Sequence, residues 1–230
     1  TDIEKIIYVE HDIPDTEDLE VLDIDRKNAG VNANNIDSVH ARARERLQKD
    51  AVMMALQDFE KRDVFLYGDA DEIIDPKHIK WLAKQCHNHP NLIIKVPLVY
   101  LQGRADLRIH HRNDVPVIWK RAMFFATKEQ LLHAKLSNIR CGNIYMPVKF
   151  PTNEGVNQED MGWHFAWMGT QQQRQTKADS FAHAFDSFKW HTAGGYADYK
   201  KFVDNTQPVE GNIAPDSNED HILKRYPHSS

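Results

Sequence analysis

Three carboxylates occupy four consecutive positions in this chain, at Asp69, Asp71 and Glu72, directly after the apolar run Val64–Tyr67. Such a run predicts a strand buried on both faces, as in parallel sheets covered by helices, and ligands bind at the carboxyl ends of such strands. Two carboxylates roughly 4 Å apart repel by about 4 kcal/mol at an effective dielectric constant of about 20. The cluster therefore predicts a divalent cation held by Asp69 and Asp71, and oxygen ligands indicate Mg²⁺ or Mn²⁺ shared with substrate phosphates.

A second chemical pattern surrounds His164, which follows Gly162 and lies between Trp163 and Trp167. An isolated histidine of this kind is more often packed in a core than bound to a ligand. Here the glycine permits a close backbone approach, and the two indole faces suit sugar rings. We therefore predict that Trp163 and Trp167 bind substrate and that His164 adds a nitrogen ligand to the same metal.

Basic side chains offer candidate contacts to the phosphates of a bound nucleotide. Arg44 or Arg46 could reach a phosphate from a long amphipathic helix, although most charges on that helix are expected on a solvated face. Lys177 could do so from a later helix, and an ordinary exposed lysine is an equally good interpretation. His183 follows six residues later on the same predicted helix and is a further candidate for substrate binding.

Several elements are needed to position these residues. Apolar residues recur at three- and four-residue steps from Asp37 to Phe59, which predicts one long helix with a polar face at Arg42, Arg46, Lys49 and Asp50. Asp75 followed by Pro76 predicts a helix start, with the helix ending near His87.

The remaining pattern alternates between strands and helices, which favours an α/β sheet in a single domain. Two capping-box signatures, Thr127 with Gln130 and Thr170 with Gln173, predict helices 128–136 and 170–185. The other predicted elements are strands at 5–9, 92–99 with an edge or bulge at Pro97, 117–125 and 144–148, a short helix near 196–203, and loops at 10–35, 103–116, 151–157 and 208–218.

Composition narrows the class of protein. The chain has 230 residues, 41% of them hydrophobic, which is enough for one substantial core. The net charge of −5 gives no general attraction to nucleic acid, and no apolar run or signal-peptide layout predicts a membrane segment. With only two cysteines and no metal-ligand spacing between them, a reducing compartment is expected.

Three blocks of the sequence resemble glycosyltransferase family 17, the N-acetylglucosaminyltransferase III-like enzymes. Gly68–Ile73 resembles the metal motif of that family, Gly162–Trp167 with Lys177 and 180–183 resembles its second block, and Ile222–Tyr226 is similar to its C-terminal block. The resemblance implies a GT-A-like fold with a mixed, mostly parallel sheet flanked by helices. It also implies manganese, a nucleotide-sugar donor expected to be UDP-linked, N-acetylglucosamine as the transferred sugar, and inversion at the anomeric carbon.

The same resemblance divides the chain into a nucleotide-sugar and metal half, residues 1–100, and an acceptor half, residues 101–230. The strand and helix that precede the segment matching Lys5–Val9 in the family are expected to be missing, and Ile74 stands where the family commonly has proline. Eukaryotic relatives are anchored in the Golgi membrane. Because no anchor is evident in this sequence, we expect a cytoplasmic bacterial or viral enzyme.

The expected reaction is an inverting glycosyl transfer to a glycan, in which a carboxylate takes the proton of the acceptor hydroxyl. Asp160 is the preferred base, with Glu154 and Glu72 as alternatives. Two other functions stay open from the sequence: a metal-dependent nucleotidyltransferase acting on a sugar phosphate, and a non-catalytic carbohydrate-binding remnant.

Overall fold

A computed structural model describes residues 12–15, 17–29, 33–111, 113–119, 123–132, 136–141, 148–149, 161–170, 172–174, 176, 210 and 221–226. This part of the chain is mixed α/β, with open sheets flanked by helices. Its helices are α1 (Asp23–Ala29), α2 (Ile36–Ala51), α3 (Pro76–Asn88), α4 (Lys128–Leu132) and α5 (Leu136–Cys141), and a 3₁₀ turn at Val52–Leu56 continues α2. None of these helices has both the length and the apolar character needed to cross a membrane.

The strands form two sheets. They are β1 (Val64–Tyr67), β2 (Glu72–Ile74), β3 (Ile93–Lys95), β4 (Leu98–Gln102), β5 (Leu107–His111), β6 (Ile118–Trp119), β7 (Phe124–Thr127), β8 (Val148–Lys149), β9 (Gly162–Ala166) and β10 (His221–Arg225). The first sheet has the order β1-β7-β3-β8. The second has the order β10-β5-β4-β9-β2, with β6 also paired to β4.

The prediction of a mostly parallel sheet is wrong for the described strands. Six of their pairings are antiparallel, and only β3–β8 and β4–β9 are parallel. The short connection 103–106 explains one antiparallel pair, because β4 and β5 have no room for the crossover that a parallel pair requires. The expected two-sided burial of β1 is wrong as well, since Leu66 is 41% exposed.

Helix α2 confirms the helix that the apolar periodicity predicted. The predicted exposure of its polar face to solvent is wrong. Asn35 caps its start by accepting hydrogen bonds from the backbone N–H groups of Asp37 (3.0 Å) and Ser38 (3.2 Å). Arg42 and Arg46 are nevertheless buried, because α1 and α5 pack against α2. Helix α1 lies within the segment predicted as a loop, so that prediction is wrong over Asp23–Ala29.

The predicted start of α3 is confirmed. The Asp75 carboxylate accepts a hydrogen bond from the Lys77 backbone N–H at 3.1 Å, and Pro76 occupies the first helical position. Leu82 and Cys86 are fully buried on the inner face of the helix. They join a core cluster with Ile74 of β2 and Met161 beside β9, so α3 helps to hold these two strands in place.

The segment around Pro97 is two strands in different sheets, where one strand was predicted. Strand β3 ends at Lys95 in the first sheet, and β4 begins at Leu98 in the second. Proline has no backbone N–H to donate to a ladder, which fits its position at the break. The following segment also differs from prediction, because β5 lies inside the predicted loop 103–116.

Both capping boxes are confirmed. Thr127 N–H donates to Gln130 Oε1 at 2.7 Å, and Gln130 N–H donates to Thr127 Oγ1 at 3.3 Å. Thr170 and Gln173 form the same reciprocal pair at 2.8 and 3.3 Å. Helix α4 spans Lys128–Leu132, within the predicted helix 128–136. The predicted strand 5–9 and the predicted helix near 196–203 lie outside the described residues.

Replacing Gly162 with alanine should strongly destabilise the fold. Its φ is +154°, and an added Cβ would lie 2.3 Å from the Ile73 carbonyl oxygen, a backbone atom that cannot move without breaking the β2–β9 pairing. We expect Gly162→Ala to lower the free energy of unfolding by about 3 kcal/mol or more, measured by urea denaturation.

Gly68→Ala is the matched control, because its added Cβ would meet the movable end of the Met123 side chain at 2.9 Å. Equal effects of the two substitutions would contradict the backbone explanation.

Candidate functional site

The pairing of β2 with β9 brings the acidic motif to the tryptophan–histidine block. The two strands are antiparallel, with Glu72 opposite His164 and Ile74 opposite Gly162. On its other side β9 pairs with β4, where Tyr100 is opposite His164. Because directly paired residues project from the same face of a sheet, Glu72, His164 and Tyr100 form a row across one face.

Asp71 and His164 meet at the end of this row. His164 Nε2 lies 3.8 Å from Asp71 Oδ1, and the side chains are 9% and 30% exposed, respectively. The Asp71 backbone carbonyl also accepts a hydrogen bond from the Phe165 N–H at 2.8 Å. Two of the three predicted metal ligands are therefore neighbours. The third, Asp69, is exposed in the preceding turn.

Glu72 is the buried carboxylate of the acidic motif formed by Asp69, Asp71 and Glu72. Its Oε1 accepts a hydrogen bond from the Trp119 indole N–H at 2.5 Å, and its Oε2 accepts one from the Asp69 backbone N–H at 2.9 Å. Burial raises the pKa of Glu72 to about 7, and the nearby charge of Asp71 adds to the increase. The Trp119 hydrogen bond and the charges of Lys95 and Lys49 oppose this shift without cancelling it.

The aromatic residues beside His164 are not the ones that the sequence suggested. Trp119 stacks on the imidazole with ring centroids 4.3 Å apart, and Tyr100 does so at 4.9 Å. Trp163 is next to His164 in β9 and therefore lies on the opposite face of the sheet. Trp167 is 3% exposed in a core cluster, so it is not available as the predicted sugar platform.

The sequence did not indicate that Trp119 belongs to the site, because the residues around it form no motif with a known chemical role. It lies within a predicted strand, far from both motifs, and only the pairing of β6 with β4 brings it to the site. Leu98 of β4 is opposite Trp119, which sets the indole on the same side as the Glu72–His164–Tyr100 row.

The two candidate phosphate-binding arginines differ in their surroundings. Arg46 Nε donates to both carboxylate oxygens of Asp25, at 2.9 and 3.1 Å, and its terminal N–H group donates to the Glu20 carbonyl at 2.8 Å. Arg46 is thus engaged in a buried ion pair that joins α1 to α2, beside a small pocket that it lines with Arg42 and Lys49. Arg44 is partly buried on α2, and its phosphate contact stays a prediction.

Four other predicted site residues lie outside the described part of the chain. They are the candidate bases Asp160 and Glu154, the candidate phosphate ligand Lys177 and the candidate substrate-binding residue His183. Their roles stay predictions from the sequence.

The donor set at Asp71 and His164 is compatible with a divalent cation that also binds substrate. Among the described residues, no group of three histidine, cysteine or carboxylate side chains is arranged to hold a metal. One carboxylate and one imidazole still match the sites in which substrate phosphates and water complete the shell of Mn²⁺ or Mg²⁺.

Comparison with known proteins finds no match for this chain among family models, curated proteins or solved structures.

Glu72 should make stability depend on pH. Its pKa rises from an ordinary 4.5 to about 7 in the folded protein, so the folded state binds a proton more tightly than the unfolded chain does. Its contribution to stability is full below about pH 4.5 and is lost as the pH rises through 7, a loss of about 3 kcal/mol. We expect Glu72→Gln to remove this component from unfolding free energies measured between pH 4 and 8.

Glu129→Gln is the control for that series, because Glu129 is an exposed glutamate on α4. If Glu72→Gln and Glu129→Gln had the same pH profile, the titration of Glu72 would not be the source.

Arg46→Met should destabilise the protein because it leaves the fully buried Asp25 carboxylate without its guanidinium. Removing one partner of a buried pair costs about 3 to 5 kcal/mol, measurable as a lower urea midpoint. Arg62→Met, at an exposed position, should have little effect. Unchanged stability of Arg46→Met would show that the ion pair is not structural.

Proposed function

We propose that this protein is an inverting, metal-dependent glycosyltransferase that moves a sugar from a nucleotide-diphosphate donor to a glycan acceptor. The supporting observation is the meeting of the Asp71 carboxylate and the His164 imidazole at 3.8 Å, beside the exposed Asp69. N-acetylglucosamine and a UDP-linked donor are the specific choices that the motif resemblance supports. A glycan partner and a cytoplasmic location belong to the same proposal.

In this proposal Asp71 and His164 hold the cation, and Asp69 contributes directly or through water. When bound, the cation supplies positive charge that neutralises the diphosphate as it leaves. Asp71 is suited to this role because it is partly exposed while its backbone is fixed by Phe165. His164 is suited because its Nε2 is directed toward Asp71, whereas its ring is enclosed by aromatic neighbours.

Glu72 is a poor general base despite a pKa near neutrality. A base must reach the proton that it removes, and geometry takes precedence over pKa in this choice. The Glu72 carboxylate is 6% exposed, and both of its oxygens accept hydrogen bonds, from Trp119 and from the Asp69 backbone. These contacts favour a supporting role for Glu72 and leave Asp160 as the proposed base, with Glu154 as the alternative.

The proposal also names residues that would contact the donor diphosphate and the glycan. Lys177 and Arg44 are the candidates for added positive charge against the diphosphate, because Arg46 is engaged by Asp25. Trp163 keeps a partly exposed indole on the opposite sheet face, where it could contact a glycan only away from the proposed metal ligands.

The proposal can be separated from its alternatives by one ligand panel. Nucleotide sugars, nucleoside triphosphates and glycans are each added with and without Mn²⁺, and the midpoint of thermal unfolding is measured. We expect one nucleotide sugar to raise the midpoint only when metal is present. Stabilisation by a nucleoside triphosphate, with pyrophosphate release from a sugar phosphate, would support a nucleotidyltransferase, and metal-free glycan binding would support a carbohydrate-binding protein.

Asp71→Asn tests the metal role directly. The substitution keeps the shape of the side chain but removes the charge that would hold the cation, so Mn²⁺-dependent turnover should fall at least about a hundredfold. Asp58→Asn, at an exposed position in the turn that follows the 3₁₀ segment Val52–Leu56, is the control and should keep full turnover. Full activity of a folded Asp71→Asn protein would eliminate the proposed metal site.

A further inference from the structure

Trp119 is the residue that touches both halves of the candidate site. Its indole N–H donates to Glu72 Oε1 at 2.5 Å, and its ring stacks on His164 with a centroid distance of 4.3 Å and an interplanar angle of 21°. The hydrogen bond and the stacking use different parts of one rigid side chain. The position of the indole therefore constrains the carboxylate and the imidazole together.

Each of these contacts leads to one of the proposed metal ligands. Glu72 uses its other oxygen to accept the Asp69 backbone N–H at 2.9 Å, which holds the turn that carries Asp69 and Asp71. His164 presents Nε2 to Asp71 Oδ1 at 3.8 Å. Trp119 is thus linked to the acidic motif by one path through Glu72 and by a second path through His164.

Tyr100 completes the packing around the imidazole. Its ring centroid is 4.9 Å from that of His164 and 5.2 Å from that of Trp119. Because the two flanking rings are this close to each other, they do not sandwich the imidazole from opposite sides but pack with it as a three-ring cluster. Rotation of the imidazole would disturb the contacts with both rings.

We propose that Trp119 is a positioning residue, which fixes the direction of His164 Nε2 and the conformation of the Asp69–Asp71 turn for cation binding. Its effect on cation binding rests on the proposed function, whereas its effect on His164 does not. Groups that orient metal ligands commonly change metal affinity by about 10- to 100-fold when they are replaced.

Manganese affinity in the presence of UDP provides the first test, because phosphates complete the proposed metal shell. Free Mn²⁺ is measured by electron paramagnetic resonance against a protein-free sample that contains the same UDP. Trp119→Phe keeps an aromatic ring but removes the N–H donor, and we expect the dissociation constant to rise about tenfold. Trp119→Leu removes the aromatic face as well and should weaken binding further. Trp81→Phe is the matched control, because Trp81 is a partly buried tryptophan of α3 that packs against the same core cluster as Trp119.

A double-substitution cycle distinguishes positioning from a general loss of packing. If the Trp119 N–H acts through Glu72, then adding Trp119→Phe to Glu72→Met, which removes both acceptor oxygens, should change the Mn²⁺ dissociation constant much less than it does in the unmodified protein. Trp81→Phe should combine additively with Glu72→Met. Full additivity of the Trp119 and Glu72 substitutions would overturn the inference.

Imidazole nuclear magnetic resonance provides a test that needs neither metal nor activity. With His164 signals assigned from their loss in His164→Gln, the unmodified protein should show contacts between the His164 ring protons and the Trp119 indole protons. Trp119→Leu should shift the His164 signals, and Trp81→Phe should leave them unchanged. Absence of the contacts in the unmodified protein would overturn the inference even if every Trp119 variant failed to fold.

The manganese and nuclear magnetic resonance measurements also separate the inference from the proposed function. Lack of Mn²⁺ binding by the unmodified protein with UDP present would remove the proposed metal site, and the imidazole signals would still test the position of Trp119. Normal Mn²⁺ binding by a folded Trp119→Phe protein, equal to that of Trp81→Phe, would overturn the inference and leave the proposed function intact.

Discussion

The candidate site depends on the register between β2 and β9. Residue 72 pairs with residue 164, so two segments that are distant in the chain become adjacent strands. A shift of one residue would move His164 to the opposite face and bring Trp163 to its place, because side chains alternate along a strand. Gly162 reinforces this register, since a side chain there would collide with the backbone of Ile73.

Beside this strand pairing, the neighbouring carboxylates of Asp71 and Glu72 have different environments. Glu72 is buried and accepts hydrogen bonds from an indole and a backbone N–H, but these donors do not fully replace the lost solvation, so its pKa rises to about 7. Asp71 keeps 30% of its side chain exposed beside His164. The buried carboxylate can therefore support the turn while the exposed one remains able to meet a cation. This division agrees with a structural Glu72 and a ligand-binding Asp71.

The features that sequence reasoning predicted correctly depend on residues close together in the chain. Asp75 with Pro76, and Thr127 with Gln130, specify helix starts through contacts within three residues. The errors arise where distant segments meet. Nothing near Arg46 indicates that Asp25 will neutralise it in a buried pair, and the neighbourhood of Trp119 contains no sign of His164. The balance of parallel and antiparallel strands was missed for the same reason.

The tryptophans of the candidate site show why proximity in the sequence does not identify the neighbours of a side chain in a sheet. An aromatic residue next to a histidine in a strand projects from the opposite face, so Trp163 could not flank His164 once β9 formed. The partners of a strand histidine must come from the paired strands, where Tyr100 of β4 is opposite His164, or from a strand paired to those, such as β6 with Trp119. Sequence adjacency therefore suggested the right kind of neighbour but the wrong residues. The pairing order β6-β4-β9-β2 determines which aromatic rings surround the imidazole.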